Sequence, residues 1–141
     1  YFDSLSMGLD DIVEDLAEFS HAVVLYADSK PDSCAENIDE STALNVNSTQ
    51  SILEYLHEWN IKPIFASTES VFDGVKGDYV EQDPVNPIMA YGQQKVAIEQ
   101  YIQEHYDEYV ILRLAKVFGS KRGEAAKKKL GLLSQRRGEI F

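Results

Sequence analysis

The chain has 141 residues, 44% of them hydrophobic, enough for one compact domain with its own core. Its formal net charge of −11 repels phosphate backbones and argues against general nucleic-acid binding. No basic-then-apolar leader or bilayer-length apolar run is visible, and the single cysteine, Cys34, rules out an intrachain disulfide; a cytoplasmic, reducing setting with no membrane partner is expected.

Gly8 to Phe19 reads as a helix, with Leu9, Ile12, Val13, Leu16 and Phe19 on one face. "HAVVLYA" (21–27) is a continuous apolar run, the pattern of a strand buried on both faces of a parallel sheet. The polar stretch 28–42 reads as turns, with Ser41 or Thr42 capping a long helix that reaches Trp59. The inner stripe of that helix is expected to be Leu44, Ser48, Ile52, Tyr55, Leu56 and Trp59. "KPIFAS" (62–67) reads as a second short buried strand, entered through a proline. Residues 68–90 are loop-like, with Gly74, Gly77, Pro84 and Pro87. A helix is expected from about Tyr91 to Tyr106, and "YVILRL" (109–114) reads as a third strand. Residues 121–137 look helical, and "EIF" opens another strand. The late basic residues, Lys121, Arg122, Lys127, Lys128, Lys129, Arg136 and Arg137, suit a solvated helix face better than a nucleic-acid site. They could also attract an anionic substrate such as a diphosphate.

Buried strands alternating with helices of crossover length predict an α/β fold with a doubly wound parallel sheet. No repeat or linker divides the chain, so residues 1–141 read as a single domain, cut at both ends.

In such a sheet, ligands bind in loops that leave the carboxyl ends of strands. Two segments occupy those places: Ala27-Asp28-Ser29-Lys30 and Ser67-Thr68-Glu69-Ser70. The second leads into the helix carrying Tyr91 and Lys95, which are four residues apart and so share a face. An ammonium beside a phenol favours the phenolate and would lower the tyrosine pKa, suiting it to proton transfer with a carbonyl or alcohol oxygen. Thr68 could donate a further hydrogen bond to that oxygen. The Y-x-x-x-K spacing alone is weak, because Tyr26 and Lys30 match it too, on a strand end and loop where a spacing of four aligns nothing. The company of "FASTESVFDG" upstream and "PIMAYGQQK" around the tyrosine singles out Tyr91. His21, His57 and His105 are scattered, and no Cys or His lies at metal-ligand spacing, so no metal site is expected. No G-x-S-x-G is present, and Cys34 reads as an ordinary buried or half-buried thiol.

These segments resemble the extended short-chain dehydrogenase/reductases, and most closely their dTDP-4-dehydrorhamnose reductase-like branch. "VVLYA" looks like the family's fourth strand, and "KPDSCAENID" is similar to its V-D-x-A/C-E segment. "LNVNST" resembles N-V-x-G-T, "STESVFDG" resembles S-T-D-Y-V-F-D-G, "YGQQK" matches Y-G-x-x-K, and "ILRLAKVFG" resembles L-R-x-x-x-V-Y-G. The resemblance implies a Rossmann-like sheet, NAD or NADP as cofactor, a nucleotide-sugar substrate, and compatibility with a homodimer. It makes Tyr91 the general acid/base, Lys95 the holder of the nicotinamide ribose hydroxyls, and Thr68 the catalytic Ser/Thr. Ala27 and Asn45 would join Tyr91 and Lys95 in the cofactor site, Asn45 supporting the lysine. Ser29 and Glu69 would face substrate. Arg113 reads as structural, in a buried ion pair.

Glu69 and Ser70 replace the Asp and Tyr of the branch motif, Ser48 replaces a glycine, and Asp28 and Lys30 put charge in a loop that is mostly uncharged in the family. The 141 residues contain no G-x-x-G-x-x-G, so the N-terminal βαβ unit with its pyrophosphate loop, and the C-terminal substrate domain, are absent from them. The isolated chain should therefore bind dinucleotide poorly; tight binding of NADH or NADPH in isothermal titration would contradict this. The leading expectation is reduction of a 4-keto nucleoside-diphospho-sugar. The alternatives are an epimerase or dehydratase, and a non-catalytic regulatory or binding subunit with the same fold.

Overall fold

The computed structural model describes residues 3–13, 15–115 and 139–140. The expected helix over 121–137 with its basic residues, and the 116–119 end of the L-R segment, lie outside the described residues.

Four strands, β1 (His21–Val24), β2 (Lys62–Thr68), β3 (Val110–Leu114) and β4 (Glu139–Ile140), form one all-parallel sheet in the order β1-β2-β3-β4. Between them lie α1 (Pro31–Glu36), α2 (Ile38–Thr42), a π-helical segment (Ala43–Ser48), α3 (Thr49–Glu58) and α4 (Ala90–His105). Strands laid down side by side in chain order, with right-handed crossovers, put successive helices on one face. Accordingly, Leu53 and Leu56 of α3 and Ile98 and Ile102 of α4 share one core cluster with Phe65 and Ile111 of the sheet. In β2 Pro63, Phe65 and Ser67 are buried on one face and Thr68 is buried at the strand end, while Ile64 and Ala66 on the opposite face stay half-buried. The described residues thus form a parallel sheet with α3 and α4 packed on one face. Pro63 is tolerated because β3 begins to pair only at Ile64, leaving Pro63 against Ala22 of β1 alone.

Three expectations need correction. Gly8 to Phe19 is not a continuous helix; among its described residues Leu9–Asp11 forms a short 3₁₀ turn. The reason lies in its charges: Asp10 and Glu14, Asp11 and Asp15, and Glu14 and Glu18 would stack like charges one turn apart. The Asp15 carboxylate also accepts the Ala17 N–H at 2.8 Å, a local bond that competes with helix. Second, β1 stands at the edge of the described sheet and is not buried on both faces there: Val23 is 57% exposed, and Leu25 beyond it 67%. Third, helix begins at Pro31, not at Ser41 or Thr42. Pro31 opens α1, a favoured first helical position, and Ser41 lies inside α2 donating to the carbonyls of Cys34 and Ile38. The expected stripe holds at Ser48, Ile52 and Leu56, but Trp59 is 42% exposed, and Thr49 and Leu53 are buried instead. The π segment adds a residue to the turn and so shifts the inward face.

Candidate active site

The site grows from the inner face of α4. Lys95, Ile98, Glu99 and Ile102 fall on that face by helical spacing, and all four are buried. Buried charges need partners, and both have them. Lys95 Nζ donates to the Ala66 carbonyl of β2 at 2.9 Å, 4.5 Å from the centroid of the Phe65 ring. Glu99 is held by Arg113 of β3, with Nη2 2.7 Å from Oε2 and Nε 3.1 Å from Oε1, and Glu99 also accepts the Ser67 hydroxyl. The expected buried ion pair of Arg113 is present.

One turn before Lys95, Tyr91 is half-buried, and the Lys95 ammonium lies 5.9 Å from its ring centroid. The Tyr91 hydroxyl makes no hydrogen bond to any described residue. Thr68 closes β2, two residues after the carbonyl that holds Lys95, and its hydroxyl oxygen accepts the Ser70 N–H at 3.2 Å. That bond leaves the hydroxyl proton of Thr68 available to donate. The two segments touch at Gly92: a Cβ there would stand 2.2 Å from the Ser70 carbonyl oxygen. Glycine is required for this approach of α4 to the Thr68 loop. Gly92→Ala should therefore destabilise the fold by about 1–3 kcal/mol, read as a lower urea midpoint, because backbone must move to admit the methyl group.

Asn45, in the π segment, clamps the loop that follows Ala27. Its Oδ1 accepts the Asp28 N–H at 2.8 Å, and its Nδ2 donates to the Asp28 carbonyl at 2.9 Å. The Asp28 carboxylate turns back to accept from the Ser33 hydroxyl at 2.6 Å and the Lys30 N–H at 3.1 Å, and these bonds lower its pKa. Its charge thus serves the entry to α1. Ala27 is half-buried in this loop, and Ser29 and Glu69 are exposed, the latter at the head of the turn after Thr68. Cys34 is fully buried, donating to the Asp28 carbonyl at 3.3 Å, and burial raises its pKa.

The electrostatics differ from expectation in one respect. The Tyr91 pKa is raised, chiefly by burial and then by the Cys34 and Asp28 charges, and not lowered by Lys95. The ammonium sits over the ring rather than at the hydroxyl, and its one hydrogen bond points to Ala66. Lys95 itself is lowered to about 8 by burial, against the opposing pull of Glu99 and Cys34.

Sequence reasoning passed over Gln94, which is 5% exposed and bonds Asn45, Ser41 and Thr42. It also passed over Asp73, whose carboxylate accepts from the Tyr79 hydroxyl, the Val75 N–H and Asn86 Nδ2. These bonds lower the Asp73 pKa to about 2 and organise the loop, where Gly74 and Gly77 take φ of 75° and 67°. The string "FDG" next to a glycine-rich turn was the available signal for Asp73.

A groove of about 410 Å³ lined by His57, Asn60, Lys62, Tyr106 and Glu108 opens at the other end of the sheet, by the amino ends of β2 and β3. It shares no residue with the Thr68–Tyr91–Lys95 cluster. Ligands of open parallel sheets bind at the carboxyl ends, where that cluster lies.

The RmlD substrate binding domain profile matches residues 8–140. The chain belongs to that family. Among RmlD-type relatives, dTDP-4-dehydrorhamnose reductase of Escherichia coli (strain K12) is 30% identical over 128 residues, covering 89% of this chain and 40% of its own length. Methionine adenosyltransferase 2 subunit beta of Bos taurus is 27% identical over 104 residues, covering 72% of this chain and 31% of its own. Among solved structures, MoeE5 in complex with UDP-glucose and NAD is similar with a TM-score of 0.76 at 26% identity, over 84% of this chain and 41% of that one. The chain therefore spans less than half the length of these relatives. The Rossmann-like half-sheet and the family expected from the motifs both hold. Among the described residues no helix is long and apolar enough to cross a membrane.

Proposed function

We propose that the full-length protein reduces a 4-keto nucleoside-diphospho-sugar with NADH or NADPH, and that Thr68, Tyr91 and Lys95 are its catalytic residues. The observation that carries this reading is the seating of Lys95: a buried ammonium beside the Tyr91 ring, tied to the strand that ends in Thr68.

The donor set suits the ribose end of a nicotinamide dinucleotide. Lys95 has three N–H donors, one of which goes to Ala66, and it lies 5.9 Å from the ring centroid of Tyr91, whose hydroxyl has no partner among the described residues. Ala27 lines the proposed cofactor site, Asn45, its amide engaged with Asp28 and Gln94, holds the loop that forms it, and Ser29 and Glu69 would face the sugar. A nicotinamide bound there supplies the hydride. As the carbonyl carbon of the sugar accepts it, negative charge grows on the carbonyl oxygen. Thr68 donates a hydrogen bond to that oxygen, and Tyr91 delivers the proton that completes the alcohol. The raised Tyr91 pKa keeps the phenol protonated and ready to act as an acid. The 141 residues hold no glycine loop for the pyrophosphate, which other parts of the protein would bind.

The test is an assay of the full-length protein with a dTDP-4-keto-6-deoxy sugar. A reductase oxidises one NAD(P)H per sugar reduced, whereas an epimerase shows no net oxidation. A second reading, a binding or regulatory subunit, draws support from the similarity to methionine adenosyltransferase 2 subunit beta and from the charged Asp28 and Lys30. That reading would be preferred if wild type and Tyr91→Phe were equally inert while a partner enzyme responded to the protein.

A further inference from the structure

Gln94 lies between the two members of the Y-x-x-x-K spacing, and both ends of its buried amide are engaged. Oε1 accepts from Asn45 Nδ2 at 2.7 Å, while Nε2 donates to Ser41 Oγ at 2.9 Å and to Thr42 Oγ1 at 3.2 Å. Asn45 in turn holds both backbone groups of Asp28. A continuous path of hydrogen bonds therefore runs from the loop after β1, through the π segment, into the first turns of α4. An apolar side chain of the same length would fill the same volume, so the bonds are what distinguish this glutamine. Asn45 Nδ2 already serves the Asp28 carbonyl, and Gln94 fixes the orientation in which it does so.

We propose that Gln94 is a positioning residue: acting through Asn45, it sets the spacing between the loop after Ala27 and the helix that carries Tyr91 and Lys95. The proposal rests on the reductase reading, in which Ala27 on that loop and Tyr91 and Lys95 on the helix would all contact the cofactor. A small change in that spacing would misalign hydride and proton transfer without removing any group that touches substrate.

The test uses the full-length protein with Gln94→Met and Gln94→Glu. Glutamate keeps the acceptor for Asn45 and lets the Thr42 hydroxyl donate to it, whereas the Ser41 hydroxyl already donates to Cys34 and Ile38; methionine does neither. Gln94→Met is expected to speed amide hydrogen exchange over residues 27–30 at least about tenfold. It should also lower kcat on the order of 10²-fold, leaving KM for the sugar within about twofold. Gln94→Glu should recover most of both losses. Unchanged exchange at residues 27–30 in Gln94→Met, or equal impairment in the two variants, would overturn the proposal. If the wild-type protein turns over no keto sugar, the reductase reading fails on its own, and the exchange measurement still decides for or against the role of Gln94.

Discussion

Arg113→Leu should destabilise the protein by about 3–5 kcal/mol, the cost of leaving one partner of a buried pair uncompensated. Glu99 is 2% exposed and Arg113 5%, so water cannot replace the lost guanidinium. Arg113 also reaches the Glu81 carbonyl at 3.4 Å and lies 5.2 Å from the centroid of the Phe72 ring, so its loss loosens the loop after Thr68 as well. The double variant Arg113→Leu with Glu99→Met should recover much of the loss, because apolar replacement of a whole buried pair is often neutral. Urea unfolding of the two single variants and the double gives the coupling directly; additive losses would show that the two side chains act independently.

Tyr91→Phe in the full-length protein should lower kcat by about 10²–10⁴-fold, the usual contribution of a positioned general acid. The ring and its packing remain, and the hydroxyl has no partner among the described residues, so stability should hardly change. The wild-type rate has a predictable alkaline limit. Tyr91 is raised and stays protonated, whereas Lys95 is lowered to about 8, so kcat should fall as pH climbs through about 8 and the ammonium is lost. For stability the sign is opposite. The unfolded lysine, at 10.5, binds more protons than the folded one between about pH 8 and 10.5, so this residue's destabilising contribution is relieved as pH rises through that window. A pH–rate profile flat from pH 7 to 10 would remove Lys95 from the mechanism.

The parts of the fold that depend on periodicity were legible. β2, β3 and α4 follow apolar runs or helical stripes, and they hold the proposed catalytic residues. The motif order pointed to Tyr91, Lys95 and Thr68, whereas Asn45, expected to support Lys95, bonds Asp28 and Gln94 instead. Features decided by charge or by particular hydrogen bonds were not legible. The apolar residues of 8–19 have helical spacing, but the acids between them repel. Residues 31–36 look like turn, yet Pro31 starts a helix there. The run 21–27 reads as doubly buried, but β1 has β2 as its one partner in the described sheet. Gln94 carries no periodic signal, since its value lies in contacts with residues some fifty positions away. The Tyr91 pKa could not be signed from spacing, because a helical turn brings Lys95 over the ring face and says nothing of the burial that dominates.

The most direct measurement follows the hydride. The full-length protein is incubated with a dTDP-4-keto-6-deoxy sugar and NADPH or NADH carrying deuterium at both C4 positions of the nicotinamide, and the product is read by NMR. The account predicts deuterium on the former carbonyl carbon, one per cofactor oxidised, and almost none with Tyr91→Phe. Product formed without label, or labelled equally well by the phenylalanine variant, would contradict it.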